Sequence, residues 1–234
     1  MFQTIKNAQE YWLVDQVKKE DATEADYERA FDQLLEEWRE RKVGYLSLLM
    51  DEAHDAYLMD KGFRKISSIV EYTRKLNELP EKALGITSVA LSASDMDDTA
   101  FAELYEQCRS GTANKNQLFT IEQTMASFEL ELGKQWRNHC FIFYKENDVI
   151  GLGIPHIEAG TDDEGRLFYF GVVPQWRGKG YGAICHRLSL ERLKEFRAKT
   201  YVGSTDVNNV HMIRIFERNG CTLRDRKGIY RIDN

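Results

Sequence analysis

The chain has no excess of positive charge: 32 Lys and Arg stand against 38 Asp and Glu, a net charge of −6. That balance argues against a nucleic-acid partner, whose phosphates require clustered cations, and mildly favours a neutral or cationic substrate. Cysteine is sparse and scattered. Cys108, Cys140, Cys185 and Cys221 form no C-x-x-C pair, so neither a disulfide framework nor a zinc site is indicated, and a reducing, cytoplasmic setting fits best. The five histidines show no ligand spacing and no Ser-His-Asp arrangement stands out, so no metal is called for. Long apolar runs are missing too: nothing approaches the roughly 18–20 residues of a membrane span, and the opening MFQTIKNAQE lacks the basic and apolar segments of a secretion signal. We expect no membrane partner. At 234 residues the chain can bury one full-sized core, or one domain plus a partial second.

Against this background one stretch concentrates several signals. Residues 168–188 read FYFGVVPQWRGKGYGAICHRL. Residues 169–173 have the aromatic and β-branched content of a strand, Pro174 stops it, and a helix begins a few residues later. Between them lies Arg177-Gly178-Lys179-Gly180-Tyr181-Gly182. Glycines at alternate positions allow positive φ and bring several N–H groups onto one concave surface. The helix start adds unpaired N–H groups and the positive end of its dipole, and Arg177 and Lys179 add full charges. The natural ligand is a phosphate or pyrophosphate.

The rest of the chain divides around a boundary. Residues 22–42 carry Ala30, Leu34, Leu35 and Trp38 at helical spacing; 43–49 read as a strand, 51–61 as a helix ended by Gly62, and 63–74 as a strand or hairpin. The order is helix, strand, helix, strand. Residues 77–85, NELPEKALG, form the expected linker between a first region, 1–76, and a second, 86–234. The second region predicts a strand at 87–91, a helix capped by Asp95 and running through Cys108, and a helix from Thr120, with capping-box partner Gln123, to Gly133. A meander of strands follows at 139–144, 149–157 and 167–173. Then come a helix at 180–197, a strand at 200–207, a helix opened by Asn209 and ended by Gly220, and one or two strands over 221–232. The order is β-α-α-β-β-β-α-β-α-β.

The chain also matches itself. At an offset of 158, Tyr11 meets Tyr169, Leu35 meets Leu193, Gly62 meets Gly220 and Tyr72 meets Tyr230 without a gap, and the element order agrees. Residues 1–76 then form an incomplete copy of the later half of the fold. Where the second copy has its glycine loop, the first has Lys19-Glu20-Asp21-Ala22-Thr23-Glu24, with no glycine and three acids, which would repel phosphate.

Strand, proline, R-G-K-G-Y-G, long helix, strand, and a helix opened by asparagine together resemble the GNAT superfamily of acetyl-CoA-dependent N-acyltransferases. The likeness extends over residues 87–232, and the family's Q/R-x-x-G-x-G/A signature maps on Arg177, Gly180 and Gly182. It implies an α/β (α+β) fold, a mixed and mostly antiparallel sheet flanked by helices, here preceded by a partial unit of the same kind. It implies acetyl-CoA as co-substrate, with the pyrophosphate on Arg177, Gly178, Lys179, Gly180, Tyr181 and Gly182. The pantetheine would lie along Val172 and Val173, with Asn209 and Phe216 near its inner end. Acyl transfer needs a deprotonated amine, an oxyanion donor and often an acid for the thiolate. The family draws the donor from a backbone N–H on the strand, here the 171–173 region, where Gly171 could mark a bulge. The family's frequent acid, a tyrosine seven residues after the asparagine, is replaced by Phe216; Tyr169, Tyr201 and Tyr230 are possible substitutes. Glu158 and Asp206 are the expected catalytic carboxylates, with His211 a third candidate base. An acidic rim of Asp162, Asp163 and Glu164 would attract a small cationic amine. The expected activity is acetyl transfer from acetyl-CoA to a primary amine; the alternative is a non-catalytic acyl-CoA-binding or interaction module.

Overall fold

The computed structural model describes residues 1–7, 10–17, 19, 21–79, 85–112 and 120–234. They form two compact units, Met1–Glu71 with Arg224–Asn234, and Tyr72–Leu223. Residues 80–84 of the expected linker lie outside the described residues.

In the first unit, strands β1 (Phe2–Asn7) and β2 (Tyr11–Gln16) precede helix α1 (Glu24–Glu40), strand β3 (Tyr45–Asp51), the short helix α2 (Asp55–Asp60) and most of β4 (Arg64–Lys75). Strand β10 (Thr222–Asp233) joins this unit from the far end of the chain. β1 and β2 were not expected from the sequence: six-residue strands with alternating burial and interspersed charge carry little periodic signal. The sheet runs β1-β2-β3-β10, with β2 parallel to β3 and the other pairs antiparallel. Thr23 and Asp26 form the capping box that starts α1. Its buried stripe is Tyr27, Phe31, Leu35 and Trp38; Leu35 and Trp38 are buried as expected, while Tyr27 and Phe31 take the core and leave the expected Ala30 and Leu34 half-buried on the flank.

The second unit begins with the last residues of β4, where the Thr73 hydroxyl donates to Tyr201 O and Leu76 N–H to Lys199 O. It continues with β5 (Thr87–Ala90), α3 (Asp98–Arg109), α4 (Ile121–Leu132), β6 (Phe141–Lys145), β7 (Asp148–Ile157), β8 (Glu164–Val172), α5 (Tyr181–Glu195), β9 (Thr200–Asp206) and α6 (Val210–Arg218). The sheet order is β9-β8-β7-β6-β5, antiparallel except for β8 and β9. Helices cover both faces, as strand alternation requires. Ile142 of β6 joins the core under α3 and α4 with Phe101, Leu104 and Phe128. Its neighbours Phe141 and Phe143 face α5 through Cys185 and Leu188. This is the expected α/β architecture. One cap moves: α3 is capped by Asp97, whose carboxylate accepts from Ala100 N–H at 2.8 Å, and not by Asp95. Thr120 and Gln123 make their capping box, Gly133 closes α4 at φ 77°, and β10 is one continuous strand.

Candidate active site

The site follows from how β8 and β9 meet. These parallel strands pair only at Glu164 with Thr200 and Gly165 with Tyr201. Beyond that point they part, so the sheet opens into a wedge between Arg166–Val172 on one side and Val202–Asp206 on the other. The inner wall of the wedge is irregular. Ile154 faces Tyr169 but Pro155 faces Leu167, so Phe168 is an extra residue on β8. Pro155 has no N–H to give the ladder, which accounts for a bulge here. The bulge therefore sits at Phe168 and not at Gly171, which pairs regularly with Leu152. Past it, Val173 N–H donates to Ile150 O at 3.0 Å. By alternation, the N–H groups of Val172 and Phe170 point away from β7 and into the wedge.

At the mouth of the wedge the chain makes a 3-10 turn (Pro174–Trp176) and then the glycine loop. Gly178 and Gly180 adopt φ of 73° and 85°, and Gly180 is the N-cap of α5 without any capping side chain. A Cβ at either glycine would meet no atom within 4 Å, so the loop borders open space. No backbone acceptor among the described residues takes the N–H groups of residues 178–182. They remain available to an anion. The other motif residues are built differently. A Cβ on Gly182 would come within 2.8 Å of Ile215 Cδ1, so that glycine lets α6 approach α5. Arg177 turns inward: its Nε donates to Val172 O at 2.8 Å, Nη1 to Ser110 O at 2.8 Å and Nη2 to Cys108 O at 2.9 Å. It pins the strand end and the end of α3, while the ammonium of Lys179 lies 4.8 Å from the Trp176 ring centre.

Asn209 caps α6, its Oδ1 accepting from Met212 N–H at 3.2 Å while its Nδ2 donates to Thr205 Oγ1 at 3.0 Å. The side chain thus ties the helix start to β9. Asp206, at the open end of β9, accepts from both the backbone N–H and the Nδ2 of Asn208, at 2.8 and 3.0 Å. Phe216 is 1% exposed, stacked on Tyr72 at 5.1 Å and edge-on to His186 at 5.5 Å. His186 accepts from Asn219 Nδ2 at its Nδ1 and lies 3.1 Å from the Tyr201 hydroxyl at Nε2. Complete burial pushes the His186 pKa down to about 3 and that of Tyr201 well up, so both stay neutral. Of the substitute tyrosines, Tyr201 is sealed in this cluster and Tyr230 lies in the first unit bonded to Asp55. Tyr169 donates to Cys108 O at 2.8 Å, and burial pushes its pKa up.

Glu158 lies beside the closed end of the wedge: its N–H donates to Glu164 O, and its carboxylate is 3.3 Å from Arg166 Nε and 3.6 Å from His156 Nε2. Glu158 and Asp206 therefore lie at opposite ends of the parallel pair, about 15–20 Å apart by strand rise. They cannot both reach one reacting carbonyl. The acidic rim is partly neutralised, with Asp163 on Lys199 at 3.0 Å and Glu164 on Arg166 at 2.8 Å. His211 is exposed on the first turn of α6.

A cleft of about 500 Å³ adjoins the loop, lined among others by Gln107, Asp148, Val173, Gln175, Trp176 and Lys179. Sequence reasoning passed over Trp176 and Lys145, whose ammonium lies 5.3 Å from the Trp176 ring centre. Lys145 is 34 positions from Lys179, and only the parallel sense of β6 and β8 brings their ends together. Among the described residues no three His, Cys, Asp or Glu side chains converge as a metal site.

Comparison with known proteins agrees with this geometry. The acetyltransferase (GNAT) family model matches residues 98–221. Among solved structures, a GCN5-related N-acetyltransferase from Sphaerobacter thermophilus is similar over 99% of this chain and 76% of its own, at 16% identity and a TM-score of 0.69. A tandem GNAT protein from the clavulanic acid biosynthesis pathway matches over 99% and 78%, at 14% identity and a TM-score of 0.64. A GNAT-family acetyltransferase from Colwellia psychrerythraea matches over 99% and 81%, at 13% identity and a TM-score of 0.64. No curated protein sequence matches the chain significantly.

Proposed function

The chain belongs to the acetyltransferase (GNAT) family, and from that premise we propose that it transfers an acetyl group from acetyl-CoA directly to a primary amine of a small substrate, within the β8–β9 wedge. The observation that carries this is the wedge itself, closed at Gly165 and Tyr201 and open toward a loop whose N–H groups have no backbone acceptor. The loop holds the pyrophosphate through the N–H groups of residues 178–182. The pantetheine arm extends inward along β8, using the N–H group of Val172 that the missing β9 partner leaves free. This brings the thioester toward the bulge at Phe168, where the Phe170 N–H serves as oxyanion donor.

That polarity selects between the carboxylates. The coenzyme enters from the mouth and the amine from the closed side, where Glu158 stands. Glu158, paired with Arg166 and so about 13 Å from Phe170 by strand rise, is the base and takes the amine proton through intervening water. Asp206 shapes the turn that presents Asn209 at the mouth. The amine nitrogen attacks the thioester carbonyl, the tetrahedral intermediate collapses, and the C–S bond breaks. With Phe216 in place of a tyrosine, water protonates the departing thiolate. Asp162 and the overall negative charge favour a cationic acceptor. A cytoplasmic setting suits the co-substrate.

The first unit fits a degenerate copy of the second. At the offset of 158, β4 (Arg64–Lys75) superposes in sequence on β10 (Thr222–Asp233) end to end, and α1 on α5. β2 and β3 are parallel, as are β8 and β9. Yet β2 and β3 pair continuously from Tyr11 with Tyr45 to Asp15 with Leu49. Zipped strands leave no wedge for pantetheine, which agrees with the lack of a glycine loop. The experiment for the whole assignment is thiol release from acetyl-CoA across an amine panel. Release with at least one amine is expected; binding of acetyl-CoA without release from any amine would leave only the binding-module alternative.

A further inference from the structure

The cleft beside the glycine loop has a composition that pyrophosphate binding does not use. Two ammonium groups from different elements flank one indole: Lys145 of β6 lies 5.3 Å and Lys179 of the loop 4.8 Å from the Trp176 ring centre. Tyr181, first residue of α5, packs edge-on against Trp176 at 5.4 Å, and Lys145 lies 5.6 Å from its ring as well. The Tyr181 hydroxyl holds the Lys145 ammonium in its charged form and raises its pKa. Among the described residues, the hydrogen-bond partner of Lys145 is the Tyr181 hydroxyl and not a carboxylate. Glu146 and Asp148 act on it only through space, and Asp148 is the one acid among the cleft-lining residues. A half-buried lysine held over aromatic rings beside a second, exposed lysine forms a small cationic patch with a flat apolar floor. Such a patch suits a ligand that joins an aromatic base to an anion.

We propose that Lys145, with Trp176 as floor and Lys179 beside it, is a selectivity site for the 3′-phosphate of the coenzyme's adenosine, so that the enzyme distinguishes coenzyme A from its 3′-dephospho form. This rests on the coenzyme occupying the glycine loop as proposed above. The pyrophosphate there saturates the loop N–H groups, and the ribose holds the third phosphate away from them. That phosphate needs a cation of its own, from outside the loop. Lys145 meets the requirement because β6 and β8 run parallel and end on the same side of the sheet. Trp176 offers its ring to the adenine next to it. The phosphate is doubly charged and the lysine solvent-accessible, so the expected discrimination is about three- to tenfold, falling with added salt.

The test is calorimetric titration of the full chain with coenzyme A and with 3′-dephospho-coenzyme A, repeated on Lys145→Gln and Asp148→Asn. The unsubstituted protein is expected to prefer coenzyme A by about three- to tenfold. Lys145→Gln should erase that preference while binding the dephospho form unchanged. Asp148→Asn removes the one cleft acid and should increase the preference. Equal binding of the two coenzymes by the unsubstituted protein would overturn the proposal while leaving the acetyltransferase assignment standing. A preference that survives Lys145→Gln would overturn it as well. Failure of coenzyme A to bind at all would instead sink the loop assignment on which it rests.

Discussion

Replacing Gly180 with aspartate should weaken acetyl-CoA binding roughly a hundredfold while leaving the fold intact, and the two effects can be worked out separately. Gly180 sits at φ 85° with nothing within 4 Å of an added Cβ, so the side chain finds room and the structural cost is that of a left-handed non-glycine residue, about 1–2 kcal/mol. Asparagine at the same place carries nearly the same cost without charge. Aspartate adds a carboxylate at the N-cap of α5, within about 5 Å of wherever a loop-bound pyrophosphate must sit. One carboxylate charge against the two charges of the pyrophosphate at that distance, with an effective dielectric near 40, opposes binding by about 3 kcal/mol, or roughly a hundredfold. Calorimetry with acetyl-CoA on Gly180→Asp and Gly180→Asn, alongside thermal melts, separates the terms: similar melting points for both, near-normal affinity for Asn, and roughly hundredfold weaker binding for Asp. Affinity within threefold of the unsubstituted protein in the Asp variant would refute the loop as the pyrophosphate site.

Gly182→Ala should act on stability instead, by about 1–3 kcal/mol of overpacking against Ile215, and Ile215→Val should recover part of it in chemical denaturation. Glu158→Gln should lower kcat/KM by about 10²–10⁴-fold with acetyl-CoA affinity unchanged, whereas Asp206→Asn should leave the chemical step near normal; steady-state kinetics with direct binding measurements decide this. His186 is held neutral with its pKa near 3 against about 6.5 unfolded, so its contribution is whole above pH 6.5 and is lost as pH falls toward 3, at up to about 1.4 kcal/mol per pH unit. Denaturant titrations of the full chain and of His186→Phe between pH 7 and 4 should show a steeper slope in the former, the lowered carboxylates contributing to both. A fragment of residues 86–234 should be markedly less stable than the full chain, because it loses the Tyr72 ring over Phe216 and the bonds of Thr73 and Leu76 to β9. Equal melting points would contradict that.

Most of the second unit could be read from the sequence because its signals are local. The Thr120–Gln123 capping box, Gly133 closing α4 and the glycine loop before α5 each depend on residues within one turn of one another. What could not be read depends on partners distant in the chain. Nothing near Phe168 announces a bulge; its cause is Pro155, on the next strand. The signature suggested one role for Arg177, Gly180 and Gly182, yet only Gly180 faces open space. Arg177 is bound to three carbonyls, and Gly182 is small because of Ile215, 33 positions away. The same holds for the carboxylates: Glu158 and Asp206 looked equivalent as strand-end acids, and only the parallel pairing of β8 with β9 puts them at opposite ends of the wedge. Likewise, β10 takes the place of β4 at the offset of 158, but no local pattern says that it pairs with β3.

The claim that the wedge is an acetyl-transfer site is tested most directly by following thiol release from acetyl-CoA with a broad panel of primary amines, polyamines and aminosugars included, using the full chain and its Gly180→Asp variant in parallel. The account predicts amine-dependent release by the full chain and, at subsaturating acetyl-CoA, release about a hundredfold slower by the variant. Release that persists undiminished in the Gly180→Asp protein, or its absence with every amine despite measurable acetyl-CoA binding, would contradict it.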